Sequence, residues 1–146
     1  MSLAAVLDAA AAKTAGIAGI TAVYSAGAVD GELLIPDDLP SDVSAVTVFG
    51  GMPELSPGSW ERVTWRIEIR IYVNRANMAA SYRVLAALPE RFVAAWRTDI
   101  DLGGTCSHSA IESMGEPEDE EVNGKPYLVL PIFILAKTAS GQTYTA

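Results

Sequence analysis

The chain reads as an α+β fold: a mainly antiparallel sheet of four to five strands, with an N-terminal helix and a kinked central helix packed on one face. Three observations predict it. Over residues 62–73, Val63, Trp65, Ile67, Ile69, Ile71 and Val73 alternate with Arg62, Thr64, Arg66, Glu68, Arg70 and Tyr72. A period of two over this length marks a long strand with one apolar and one charged face. Residues 2–14 and the region from Asn77 to Arg97 carry apolar stripes at helical spacing. Residues 43–49 and 127–137 are rich in Val, Ile, Leu and Phe, as strands are.

In the first helix Ser2 serves as the cap, Leu3, Val6, Leu7 and Ala10 form the stripe, and Gly16 ends it. Its small Ala side chains allow close approach to a sheet. Residues 20–24 form a short strand, and Gly27 to Pro40 is a loop broken by Gly31, Pro36 and Pro40. After the strand at 43–49, Gly50 to Ser59 reads as a mobile connection to the long strand. The second helix presents Met78, Tyr82, Leu85, Phe92 and Trp96 on one face and Arg83, Arg91 and Arg97 to water. Pro89 removes a helix donor, so a kink or two short helices are expected there. A turn at Leu102 to Gly104 leads to a strand over Thr105 to Met114, then an exposed acidic hairpin loop to Gly124. Pro131 predicts an edge position or a bulge for the last strand. Residues 1–137 form one domain, and 138–146 a flexible tail.

The chain has 146 residues, enough for one domain that hides ~70% of its unfolded surface. Its net charge of −8 opposes a non-specific grip on phosphate backbones. Seven of ten basic residues lie between Arg62 and Arg97, whereas acids cluster at Asp30–Asp42 and Glu116–Glu121. Such a division suits pairing within the chain or head-to-tail pairing between copies. The single Cys106 forms no disulfide within the chain. The N-terminal residues carry no basic segment ahead of an apolar run, unlike a signal peptide. The longest apolar run, Tyr127–Ala136, is about half the length of a spanning helix. These features predict synthesis in a reduced, cytosolic compartment.

Candidate chemistry is sparse. Cys106 and His108 fall short of a zinc ligand set, and neither has an orienting third group for nucleophilic catalysis. Glu116, Glu118, Asp119, Glu120 and Glu121 lack the alternating ligands and central glycine of a calcium loop. Gly50-Gly51 and Gly103-Gly104 lack the setting of a phosphate cradle. Asp37 with Asp38, and Asp99 with Asp101, read as turn-solubilising or capping groups. No metal, cofactor or catalytic residue is expected. Arg62, Arg66 and Arg70 share a strand face with Tyr72, each arginine roughly 13 Å from the next. They suit cross-strand pairing with acids or a subunit contact equally, and a nucleic-acid platform less well, because one tyrosine is thin stacking support. Trp60, Trp65 and Trp96 read as core or interface anchors, with the long strand packed on the second helix.

The order of elements, with Val6-Leu7 in the first helix, the alternating Trp65–Val73 strand, Leu102-Gly103-Gly104-Thr105 and the closing Tyr127–Leu135 strand, resembles the tail terminator (tail completion) proteins of long-tailed bacteriophages. The resemblance covers nearly the whole chain. It implies a non-enzymatic virion protein at the tail–neck junction, assembled in the host cytoplasm as a ring of six copies. Its implied partners are its own copies, the tail tube protein, a head-side connector or stopper, and DNA passing through the lumen without specific binding; no membrane is involved. Arg62, Arg66, Arg70 and Tyr72 are then candidates for the subunit interface. The acidic hairpin is a candidate for the lumen or the adjacent subunit. Another neck component, or a small ligand-binding α/β module with a deep apolar cavity, fits the same residues.

Overall fold

The computed structural model describes residues 3–25, 43–55, 62–75 and 78–139. Expectations for Ser2, Trp60, Asn77, the loop at 27–42 and residues 140–146 lie outside these. The element order is α1 (Leu3–Ala15), β1 (Ala22–Ser25), β2 (Val43–Leu55), β3 (Arg62–Asn74), α2 (Met78–Ala95), β4 (His108–Met114), β5 (Glu118–Val122) and β6 (Lys125–Ala139). Among the described residues these make an α+β fold with six strands in one mixed, mostly antiparallel sheet, ordered β1-β2-β3-β6-β4, with β5 also paired to β6. Among the described pairings, β1–β2 alone is parallel.

The alternation over 62–73 builds the centre of the sheet. β3 pairs with β2 on one side and, over its full thirteen residues, with β6 on the other. Its odd-numbered residues Ile67, Ile69, Ile71 and Val73 are buried beside Leu128, Leu130, Ile132 and Ile134 of β6. Val6, Leu7 and Ala10 of α1 and Leu85, Leu88 and Phe92 of α2 join the same cluster, with Trp96 just beyond α2, so both helices lie on this face. Each fully buried Ile or Leu here contributes roughly 1.5–3 kcal/mol. Lys13 holds the helix pair at one end: its ammonium donates to the Thr98 carbonyl and lies 5.4 Å from the centroid of the Trp96 ring.

Several local expectations change. α1 closes through Gly16 N to Lys13 O and Ile17 N to Thr14 O, and the left-handed residue that follows is Gly19 rather than Gly16. β2 continues through Gly50 to Leu55, which the glycines and proline had marked as a loop; it does so with register shifts around Gly51. Long pairing to β3 outweighs the weak strand preference of glycine. α2 is one helix with Pro89 inside, so the split into two helices does not occur. Burial of Leu85, Leu88 and Phe92 offsets the lost backbone bond. Tyr82, placed on the buried stripe by spacing, is half exposed, and Ser81 and Leu88 take the inward positions. Trp65 packs edge-on against Phe49 and Trp96 stacks on Phe92, so the two tryptophans serve different neighbours. Thr138 and Ala139 belong to β6, not to a tail.

Pro131 corrects a larger expectation. β6 is an interior strand, paired to β3 on one side and to β4 and β5 on the other. β4 and β5 run end to end along that second side, and the Gly115–Pro117 link sits where Pro131 has no N–H to give. The Pro131 carbonyl accepts from Gly115 N at 2.8 Å. A proline is tolerated in this interior strand because the missing donor meets a break in its neighbour. The acidic segment is therefore a strand of a long hairpin, turned by Asn123 and Gly124, both left-handed (φ 51° and 78°). Two successive left-handed residues, Asn then Gly, suit a tight two-residue hairpin turn.

Gly115 has no room for a side chain: a Cβ there would lie 2.6 Å from Pro131 Cγ. Gly115→Ala should cost roughly 1–3 kcal/mol in urea unfolding. The double variant Gly115→Ala/Pro131→Ala should recover most of that loss; equal losses in both would contradict the contact.

Candidate functional site

The even-numbered side chains of β3 define the second sheet face, which carries no helix among the described residues. Val46, Tyr72, Tyr127 and Val129 form a small buried cluster on it, and Tyr72 meets Tyr127 edge-on at 6.1 Å. Charged groups run beside this cluster. Arg66 makes a two-pronged pair with Glu112 of β4, Nε to Oε1 and Nη2 to Oε2, each 3.1 Å. Arg70 donates from Nη2 to Glu120 of β5 at 2.5 Å, from Nη1 to Glu68 at 2.9 Å and from Nε to the Tyr72 hydroxyl at 3.0 Å. Beyond the end of β3, Arg75 donates to Asp119 at 2.7 Å.

The arginine ladder thus answers one of the open readings: Arg66 and Arg70 pair with acids of their own chain. The side chain of Arg62 lies outside the described residues, and its backbone pairs with Ala139. Of the acidic hairpin, Glu120 is tied to Arg70 of β3 and Asp119 to Arg75 just beyond it, whereas Glu116, Glu118 and Glu121 are exposed and make no ion pair among the described residues. Four consecutive acids on β5 repel each other, and the two arginines offset part of that repulsion where the strand meets the sheet. Sequence reasoning missed Glu68, Arg75 and Glu112. Strand parity already placed Glu68 beside Arg70; Arg75 and Glu112 depend on strand order and on the β4 bulge between Ile111 and Ser113.

Burial works against charge on Arg70, but the Tyr72 hydrogen bond and the pull of Glu120 and Glu68 outweigh it and raise its pKa. Burial also pushes the Tyr72 phenol upward, partly opposed by Arg70. The network therefore holds a neutral phenol and a fixed cation across the neutral pH range.

Cys106 lies in the turn before β4, 1% exposed, and His108 is on the surface. Burial, with Asp101 nearby, pushes the Cys106 thiol up to about 11. It is a thiol at neutral pH, which is the inert form. Asp99, in the left-handed turn, accepts from Gly103 N at 3.1 Å, and that bond holds its carboxyl below the usual range. Among the described residues no three metal-ligating side chains gather, and no helix is long and apolar enough to cross a membrane. Two surface hollows are open grooves. One of about 390 Å³ is lined by Pro89, Glu90, Val93, Ala94, Arg97 and Met114; another of about 180 Å³ lies between Arg75 and the hairpin acids. Neither is the deep apolar cavity that a small ligand-binding module calls for.

Compared with known proteins, the chain matches no family model and no curated protein.

A double-mutant cycle of Arg70→Met and Glu120→Gln, followed by urea unfolding, should give a coupling of about 1 kcal/mol that shrinks with added salt. Additive effects would contradict a working contact. The raised Cys106 pKa gives a second expectation. In the unfolded chain the thiol ionises near pH 9, and in the folded chain near 11, so the folded state holds the proton longer. The associated stability is present below pH 9 and falls as pH rises toward 11, by up to roughly 3 kcal/mol. Cys106→Ala should flatten that part of the stability-against-pH curve; an unchanged slope would contradict the shift.

Proposed function

We propose that this protein is a structural subunit of a bacteriophage neck, a tail-terminator-like protein that assembles with its own copies into a ring on the tail tube. The ring ends tube growth, offers a surface to the head-side connector or stopper, and lets DNA pass. The observation that carries the reading is the distribution of charge. Arg66 and Arg70 of β3 are matched within the chain, while Glu116, Glu118 and Glu121 make no ion pair among the described residues and are exposed on the β5–β6 hairpin and the link before it. An unmatched acidic projection suits contact with a basic surface of another subunit. An acidic lumen would repel phosphates and allow DNA to slide. The α+β architecture, with helices on one face of an antiparallel sheet, agrees with the resemblance in element order.

A connector or stopper role uses the same fold and charges, so the two differ in the particle rather than in the chain. Electron microscopy of particles produced without this protein separates them. Overlong tail tubes lacking heads are the expected result. Normal-length tails without heads would favour the connector role, and intact particles would overturn both.

A further inference from the structure

The groove beside α2 is apolar apart from one cation, Arg97, and one acid, Glu90. Pro89, Val93, Ala94 and Met114 give it an apolar floor, and Val93 is 40% exposed. Arg83 does not line the groove but lies on the same exposed side of α2, one heptad before Glu90 and two before Arg97. Arg83 and Arg97 make no ion pair among the described residues. The groove opens on the helix-covered side of the sheet, since Met114 pairs with Ile132 and packs against the main core.

The link between β4 and β5 has the matching chemistry. Glu116, Pro117 and Glu118 are all exposed, so an apolar ring stands between two carboxylates. Glu118 pairs with Val129, two residues from Glu120, and so shares the face that bears Arg70. That is the face opposite the groove. One copy cannot bring its Glu118 to its own groove, because its sheet lies between them; a second copy can.

The geometry points to a head-to-tail contact in which the Glu116-Pro117-Glu118 corner of one copy seats in the Pro89–Val93–Arg97–Met114 groove of the next. Pro117 fills the apolar floor, and the two carboxylates meet Arg97 and Arg83. Each copy uses two different surfaces, so the contact is heterologous and propagates around a ring. Charge complementarity fixes the register and speeds encounter, while the apolar floor supplies burial. The inference rests on the self-assembly proposed above and specifies its contact.

Charge swapping tests it. The full-length chain is compared with two double variants, Arg83→Glu/Arg97→Glu and Glu116→Arg/Glu118→Arg, by sedimentation across a concentration series, with circular dichroism as the folding control. Each variant alone should associate at least tenfold more weakly than the unaltered chain, because like charges then face each other in every contact. An equimolar mixture should recover association, since every contact in an alternating array is again of opposite sign. Association of the unaltered chain with no effect of either variant would overturn this contact and leave the assembly reading standing. Failure of the mixture to recover would also overturn it. An unaltered chain that stays monomeric at all concentrations would overturn the contact and self-assembly together.

Discussion

The pairing of β3 with β6 is the constraint on which the remaining structure depends. Thirteen residues of β3 pair in unbroken antiparallel register with β6, from Arg62 with Ala139 to Asn74 with Tyr127. A one-residue slip would move Ile67, Ile69 and Ile71 to the open face and carry Arg66 and Arg70 beneath the helices. Burial on one face and ion pairing on the other therefore enforce the same register. The helices, β2 and the β4–β5 edge all take their positions from this pair.

That register also decides the electrostatics. It sets Arg70 within reach of Glu120 on β5, with β6 between them, and Arg66 within reach of Glu112 on β4. Of the basic middle of the sequence, Arg66, Arg70 and Arg75 are consequently paired inside the chain. Among the described residues, Arg83 on α2, Arg97 just beyond it, and Glu116, Glu118 and Glu121 around the hairpin are some of the charges without an ion pair. A subunit contact is better sought between these groups than along the β3 ladder.

The main elements were legible because their periodicities are long. The β3 alternation and the stripes of α1 and α2 each run for three turns or more, so burial has one self-consistent solution. The β5 strand was not legible, because four consecutive acids have no strand preference of their own; pairing to β6 beyond an Asn-Gly turn creates it. Pro131 misled in the same way. Its interior position is allowed only by the Gly115–Pro117 break opposite, a fact of two distant segments meeting. Of the candidate site, strand parity correctly grouped Arg66, Arg70 and Tyr72, yet their partners Glu112 and Glu120 depend on strand order, which no local pattern encodes.

The functional reading and the fold meet in the hairpin. Arg70 of the sheet and Arg75 just beyond β3 pair with two of its acids, while Glu118 and Glu121 are exposed. All of this assumes that the β3–β6 ladder is the most stable part of the molecule. Native-state hydrogen exchange resolved by segment measures that directly. Amides within 65–72 and 128–135 should exchange last, at the rate of global unfolding, with 118–122 opening earlier. Exchange in β3 and β6 as fast as in the β4 or β5 edge would contradict the account.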